Sequence, residues 1–502
     1  MNLKSDNKYF LSSFFWSTFS KVLNALFGFV SVPLLLGYFG KAEYGLLSIA
    51  TACNGYMHLM DLGMNTGAIK FFSQWEAEGN REMIKRVSRT NVTFYFIISI
   101  FNILGLLSLA LWGEGLFSVT HEQFGQLKTC FVVLALFSSV SWITTAYSQL
   151  LTAYKKLDFT MKIQCVMVLI KGVLIASVFI FGLSLVDYFF YLTLIVSSAI
   201  IPYAIQCRRT NLIDTLLPAT NWSDFKVVFT FSLSIFALSL FQVTATQSRP
   251  ILLSIFSTDG TGAIADYRII EVIPQFIITV CGTFTGIFLP KSAEMIVQNS
   301  RDEIQQYVNN WTGKTTILVC ILCFPFVIGA ENIINAYVGP GYSYLGKWLQ
   351  LWCLFLIVQM HSTPAFSFVL AYGKTKVLVL FTAIACILSM VLNVLLCTVI
   401  PIGSAIIGYA VYMLSLIGVY YIYIYRIYLK LNSWQIFLSF LKPMFIGVMC
   451  FLIPHFLNIE HIFGTISSPR LFGLFVFIIK TIIWFVPFIM ILYFSNLLKT
   501  KR

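Results

Sequence analysis

Charge is scarce in this chain. Aspartate, glutamate, lysine and arginine supply 11% of its 502 residues, against roughly a quarter in soluble domains. Acid is scarcer than base, at 20 residues to 33, which leaves a net charge of +13. Long polar segments are also missing. No stretch between apolar runs exceeds about 25 residues, so neither side has room for a soluble catalytic domain. Metal-type spacing is lacking as well. The 11 cysteines are scattered, mostly inside apolar runs. Cys320 and Cys323 form a CxxC within TILVCILCFPFV, with no second cysteine pair and no flanking histidine. They read as small buried apolar residues, with a metal or redox pair as the weaker alternative.

What is abundant is apolar sequence, 58% of the chain. Runs of about 20 residues recur from end to end, each long enough to cross a hydrocarbon core as a helix. They lack strict alternation, which argues for helices over a barrel. The opening MNLKSDNKYF is polar and basic, and no small-residue cleavage site follows the first run. This reads as an uncleaved first span. The expectation is an all-α polytopic membrane protein of about fourteen transmembrane helices. They are placed near 13–38, 44–66, 91–112, 127–151, 163–184, 186–206, 227–256, 262–289, 315–338, 347–371, 377–399, 402–425, 434–457 and 471–495.

The basic residues set the orientation, because lysine and arginine concentrate in cytoplasmic loops. One alternating set of loops holds twenty-three of them, including the runs Arg81 to Arg89, Lys155 to Lys162 and Arg208–Arg209. It also takes in Lys70, Lys374 and the C-terminal Lys499, Lys501 and Arg502. The opposite set holds only Lys41, Lys128, Lys347 and Arg470. Both termini are therefore expected in the cytoplasm. The positive charge is a topology signal and not a footprint for nucleic acid.

The chain also matches itself. SVPLLLGYFG (31–40) lies over SRPILLSIFS (248–257), and the same shift of 217 places Gly45 on Gly262. REMIKRV (81–87) resembles RDEIQQY (301–307), and LLTAYKK (150–156) resembles FVLAYGK (368–374). Each copy holds six spans. An even number keeps both copies in one orientation, so they are parallel repeats around a central cavity. The expected organisation is an N-lobe at 1–206, a cytoplasmic linker at 207–226, a C-lobe at 227–425, and spans 13 and 14 with a cytoplasmic tail at 426–502. Pro33 and Pro250 hold equivalent places in spans 1 and 7. Proline removes one helical hydrogen bond and bends its helix, so the pair marks either a moving element or an inherited kink.

Six basic residues remain inside spans: Lys21, Lys171, Arg249, Arg268, Lys442 and Lys480. A charge at a helix centre costs roughly 2.5–3.5 kcal/mol on insertion scales, so such residues usually face a cavity. Lys21 and Lys171 lie mid-span. Arg249 and Arg268 lie in the outer halves of spans 7 and 8. Lys442 is near a span end, where snorkelling is the simpler reading. Arg268 and Glu271 share a helix face and can pair with each other. Arg249 can reach a cavity or snorkel to the outer interface. Acids in or near spans are few. Glu271 and Asp61 are the candidates for ion coupling or gating, and Asp61 has a helix-end structural role as its alternative. His361 defaults to a hydrogen-bonded interior histidine.

The stretch LGYFGKAEYGLLSIATACNGYMHLMDLGMNTGAIKFFSQ (36–74) resembles the opening of polysaccharide flippases. Tyr44 and Gly45 end a small loop, Asp61, Leu62 and Gly63 close a helix, and Lys70 fills the place of a following base. With the span count, the duplication and the basic interior, the chain is similar to O-antigen (Wzx-type) flippases of the multidrug/oligosaccharidyl-lipid/polysaccharide exporter superfamily. It departs from many relatives near Ser248–Arg249, where a base stands in place of an aspartate. Any ion coupling through that acid does not transfer.

The resemblance implies a non-enzymatic transporter with no cofactor beyond proton or sodium coupling. Its substrate would be an undecaprenyl-pyrophosphate-linked oligosaccharide, moved between leaflets of a bacterial inner membrane by alternating access. Membrane lipid, an O-antigen polymerase and a chain-length regulator are the implied partners. Arg249, Arg268, Lys21 and Lys171 would meet the anionic headgroup. Asn24, Gln149, Gln242, Gln247, Gln275 and Asn393 could face sugars. Two other functions compete. A multidrug or cation antiporter of the same superfamily would favour an acidic cavity and usually twelve spans. A polymerase or glycosyltransferase would need a large periplasmic loop or an acidic catalytic motif, and neither is found.

Overall fold

A computed structural model describes residues 3–298, 300–371, 375–457 and 468–495. The described residues are almost wholly helical and contain no strand. Lys374, the segment 458–467 and the tail with Lys499, Lys501 and Arg502 lie outside them.

By internal contact the chain forms two compact units, Met1–Ala265 and Asp266–Arg502. The first unit begins with α1 (Leu3–Met57), α2 (Met64–Ala77) and α3 (Arg81–Trp112). It continues with α4 (His121–Ala153), α5 (Leu157–Phe181), α6 (Leu185–Ser197), α7 (Ile200–Arg209) and α8 (Trp222–Phe256). The boundary falls in the first turns of α9 (Gly260–Gln298). The second unit adds α10 (Arg301–Ile328), α11 (Ala330–Tyr337), α12 (Gly346–Met360), α13 (Thr363–Ala371) and α14 (Thr375–Cys397). After α15 (Pro401–Val419) comes a π-helical stretch, Tyr420–Tyr428. Two more helices follow, α16 (Ser433–Phe456) and α17 (Pro469–Phe494).

Among the described residues ten helices are long and apolar enough to cross a membrane. An eleventh is added if the pair Pro340–Met360 and Thr363–Val369, bent by 46°, is one span. This does not confirm the count of about fourteen. Expected spans 1 and 2 fall in one run, Phe15–Asp61, and expected spans 7 and 8 correspond to the helices α8 and α9, 35 and 39 residues long.

Local chemistry explains the breaks. α1 is interrupted at Gly40, whose φ of 77° and ψ of 173° an L side chain resists. Helix continues through Pro33 and Pro250, so the interruption in α1 is at the glycine. Gln123 and Thr120 form a reciprocal cap that starts α4, and Asp187 with Ser184 does the same for α6.

The linker between the repeat copies is held against α3. Arg89 Nε donates to Leu217 O at 3.0 Å. The Thr93 hydroxyl donates to Ala219 O at 2.7 Å and accepts from Ala219 N at 3.0 Å. Asn221 N donates to the Thr90 hydroxyl at 3.0 Å, and Arg86 pairs with Asp224 at 3.0 Å. The far end of α8 is tied too: Ser118 N donates to Ser254 O at 2.8 Å and Ser118 Oγ to Ile255 O at 3.1 Å. These bonds at both ends explain why α8 packs with the first unit, although the repeat makes it the opening helix of the second copy.

The two helices beyond the repeat dock on α10 and α11. Trp484 of α17 is fully buried and stacks on Phe324 of α10 and on Phe488. Its indole nitrogen donates to Gly447 O of α16 at 3.0 Å. Gly447 is small because Phe324 lies where its Cβ would be, 2.6 Å away.

Candidate functional site

The first unit contains two adjoining cavities lined by α1, α4, α5 and α6, with α2 and α7 added in the larger and α3 in the smaller. The larger, about 380 Å³, is walled by Asn24, Asn65, Thr144, Thr145, Ser148, Gln164 and Tyr203 among others. It lies within the volume range of ligand pockets, roughly 300–1,000 Å³. The smaller, about 200 Å³, is walled by Thr51, Asn54, His58, Asn102, Ser138, Trp142 and Thr193 among others. Three residues line both: Ser141, Lys171 and Val196.

The helices stack the two cavities along one direction. On α4 the smaller takes residues from Leu134 to Trp142 and the larger from Ser141 to Ser148. On α6 and α7 the smaller takes Phe189 to Ser197 and the larger Val196 to Tyr203. On α5 the larger takes Gln164 to Lys171, while the smaller touches Lys171 alone. Gln164 and Lys171 are two turns apart on one face, about 10 Å along the axis. Lys171 therefore stands at the junction.

The polar part of the walls is hydroxyls, amides, the His58 imidazole, the Trp142 indole and one ammonium, set among apolar side chains such as Phe137, Leu192 and Met167. Among the described residues no carboxylate lines either cavity. Lys171 takes part in none of the ion pairs or side-chain hydrogen bonds among the described residues. A half-buried cation without a counter-charge is costly unless a ligand or water supplies one.

Below the larger cavity lies a buried polar network. Asp61 accepts from Tyr95 at 2.5 Å and, through its other oxygen, from Asn65 N at 3.0 Å. Gln149, fully buried, donates to Tyr95 at 2.6 Å and to Asn65 Oδ1 at 3.4 Å, and accepts from Asn91 at 2.8 Å. Leu62 and Gly63 have φ of 52° and 73°, which turn the chain from α1 into α2. The Asp61–Leu62–Gly63 motif thus makes a turn, caps α2 and anchors Tyr95. Gln149, expected to face sugar, is instead part of the frame that holds Asn65 at the cavity wall.

The other sequence candidates lie elsewhere. Lys21 is exposed and lines neither cavity, although its neighbours Ser20 and Asn24 do bear on the site: Ser20 donates to Gln164 at 3.3 Å and Asn24 is in the wall. Arg249 is buried at 4% exposure, one residue before Pro250, and is not in these walls. Arg268 and Glu271, in the second unit, form an ion pair on α9. Asp266 accepts from Tyr344 at 2.7 Å. Lys480 donates to Asn332 at 3.0 Å. His361 is buried and bonded to Tyr421 at 2.8 Å, an interior histidine. Asn393 is buried and accepts from Ser404 at 2.8 Å. All 11 cysteines are buried free thiols.

Sequence reasoning identified Lys171 and Asn24 but missed the threonines, serines and Gln164 beside them. Their signal was the spacing on α4: Ser141, Thr144, Thr145 and Ser148 recur at three and four residues, a polar stripe on an otherwise apolar helix.

An all-helical bundle of membrane-spanning helices with polar cavities inside it defines a polytopic membrane protein of the transporter type. The chain belongs to the polysaccharide biosynthesis protein family, whose model matches residues 10–295. No curated protein matches it in sequence. Its fold is shared with solved structures. The lipid II flippase MurJ in an inward closed conformation superposes with a TM-score of 0.69 at 13% identity, over 96% of this chain and 100% of that one. A multidrug resistance MATE family transporter of the MOP superfamily, inward-facing, gives 0.63 at 12% identity, over 80% and 92%. The MATE multidrug transporter DinF-BH gives 0.58 at 15% identity, over 85% and 97%.

Proposed function

We propose that this protein is a flippase for an undecaprenyl-pyrophosphate-linked O-antigen repeat unit. It would carry the unit from the cytoplasmic to the periplasmic leaflet of a bacterial inner membrane by alternating access, with both termini in the cytoplasm. The observation that carries the reading is Lys171 in a carboxylate-free wall of hydroxyls and amides. An ammonium suits a phosphate as a mobile point charge, and hydroxyls and amides suit sugar. Family membership supports the same substrate class. The chain then acts as a transporter without catalytic residues, with proton or sodium coupling through Glu271 or Asp61, and hands its product to an O-antigen polymerase and chain-length regulator. Lys21 and Arg249 line neither cavity and Arg268 pairs with Glu271 in the second unit, so this reading rests on Lys171.

The fold shared with MATE structures favours a second reading, a multidrug or cation antiporter. The cavity chemistry opposes it, because an organic cation seeks the carboxylates these walls lack. Deletion of the gene followed by analysis of lipid-linked sugars separates the readings. Accumulation of complete, unpolymerised units on the cytoplasmic side is the expected result. Unchanged lipid-linked sugars with altered drug sensitivity would overturn it in favour of the antiporter. Accumulation on the periplasmic side would overturn it in favour of a polymerase.

A further inference from the structure

The two cavities pose a question that one binding site would not. They share a wall, and the single cation in that wall faces both. We infer that they are two stations for one anionic group, and that Lys171 is the residue that passes it between them. The inference rests on the transport reading above, and deepens it by giving the first unit an ordered path.

The geometry sets the order. By the loop charges, the Leu157 end of α5 is cytoplasmic. The larger cavity, with Gln164, Thr145 and Tyr203, is then the cytoplasmic-side station, and the smaller, with Asn54 and Thr193, is the outer one. Each has its own neutral donors and acceptors, and neither has its own charge. Lysine carries its charge on a flexible four-carbon stem with three rotatable donors. It can keep one phosphate or sugar carboxylate bound while its partners change from Gln164 and Thr145 to Asn54 and Thr193. A fixed arginine fork would hold the anion in one place more firmly. The anion is thereby never left uncompensated in a low-dielectric interior, where an unpaired charge is most costly. The absence of carboxylates from both walls removes the competitor that would otherwise hold the ammonium on one side.

The ligand class is an anionic group next to hydroxyls, and it has two sources: the pyrophosphate of the lipid or an acidic sugar. Binding to the purified full chain in detergent distinguishes them, with undecaprenyl pyrophosphate and free glucuronate as separate probes. Transport of a fluorescent lipid-linked oligosaccharide in proteoliposomes is measured alongside. Lys171→Met is expected to lower affinity for the bound probe by about tenfold or more, and Lys171→Arg to recover most of that loss. Gln164→Leu should weaken binding. Asn54→Leu should leave binding within about twofold and slow transport by about tenfold, because it removes only the second station. Thr145→Val and Thr193→Val repeat the comparison if either first variant fails to purify as a monodisperse protein.

Pyrophosphate-lipid binding that needs Lys171 assigns the stations to the headgroup, and glucuronate binding that needs it assigns them to the sugar. Binding of neither probe overturns the inference. So does Lys171→Met with unchanged binding, or wall variants on both sides that lower affinity and transport by the same factor. If the parent flips the oligosaccharide and Lys171→Met flips it equally, the stations fail and the transport reading stands. If binding needs Lys171 and Gln164 but the parent flips no oligosaccharide, the transport reading and the passage between stations both fail, and only an anion site in the larger cavity stands.

Discussion

Gly45 lies against the backbone of Thr261: a Cβ at Gly45 would sit 2.3 Å from the Thr261 carbonyl oxygen. Thr261 adjoins Gly262, the residue that the internal repeat sets equivalent to Gly45. The contact is backbone to backbone, so it cannot yield by a side-chain rotation.

Gly45→Val should accordingly destabilise the protein by about 1–3 kcal/mol, the usual cost of forcing volume into a closed contact. Gly45→Ala should do so with the same sign and smaller size. Thermal unfolding in detergent reads both. An unfolding midpoint equal to the parent's for Gly45→Val would contradict the contact.

Gln149 is the centre of the Asp61–Tyr95–Asn91–Asn65 network. Gln149→Leu leaves the Asn91 amide without its acceptor in a buried place. Each orphaned buried group costs about 1–3 kcal/mol. Tyr95→Phe removes the Asp61 and Gln149 bonds together. Because the two residues share one network, the double variant should cost less than the sum of the singles by at least about 0.5 kcal/mol. Additive losses in chemical or thermal unfolding would show that the network does not act as a unit.

Lys480 and Lys171 are both intramembrane lysines, and sequence position could not tell them apart. The structure does: Lys480 is bonded to Asn332, and it lies where α17 packs on α11. Lys480→Met should lower stability by about 1–2 kcal/mol, in the range of a hydrogen bond to a charged group. Transport per folded molecule should match the parent. A loss of transport in folded, monodisperse Lys480→Met protein would move this residue into the functional set.

Glu271→Gln removes the charged partner of Arg268 on α9. Both side chains are about one-fifth exposed, so the loss should fall between surface and buried pairs, about 1 kcal/mol. If Glu271 also couples protons, the variant's transport should lose its dependence on external pH. A pH profile identical to the parent's leaves Glu271 as a structural partner of Arg268.

Much of the fold was legible because it follows from one-dimensional patterns. Apolar runs gave the helices. Less legible was where some helices end. The break at Gly40 falls in the gap expected between 38 and 44, beside Lys41 and Glu43. The bend after Met360 lies inside the expected span 347–371, where the polar run His361–Ser362–Thr363 is too short to end an apolar window. The site was legible as far as charge was concerned: Lys171 stood out because lipid disfavours it. Gln164, Thr145 and Asn54 did not, because a neutral polar side chain in a span can equally bond its own helix, as Thr144 does with Val140 O at 2.6 Å. Which face of α4 meets α5 is a property of packing, and one sequence does not state it.

Thr93 sits at the middle of the contact between α3 and the 210–221 segment. Thr93→Val keeps the shape and removes both bonds to Ala219. It should cost about 0.5–1.5 kcal/mol, because Ala219 O loses its donor while Ala219 N keeps its bond to Arg89 O at 3.4 Å. It should also speed proteolytic cleavage within 210–221 by several-fold, with the cut sites read by mass spectrometry. Equal cleavage rates for parent and variant would show that the segment is held by other means.

That segment lies where the sequence repeat would join its two copies. A fresh fusion joint has no reason to touch anything, and it can be cut without loss. Here Arg89, Thr90 and Thr93 all bond to it, so the join has become part of the fabric. A cut within it would take away bonds that now hold α3, so two half-chains made separately would each lack them.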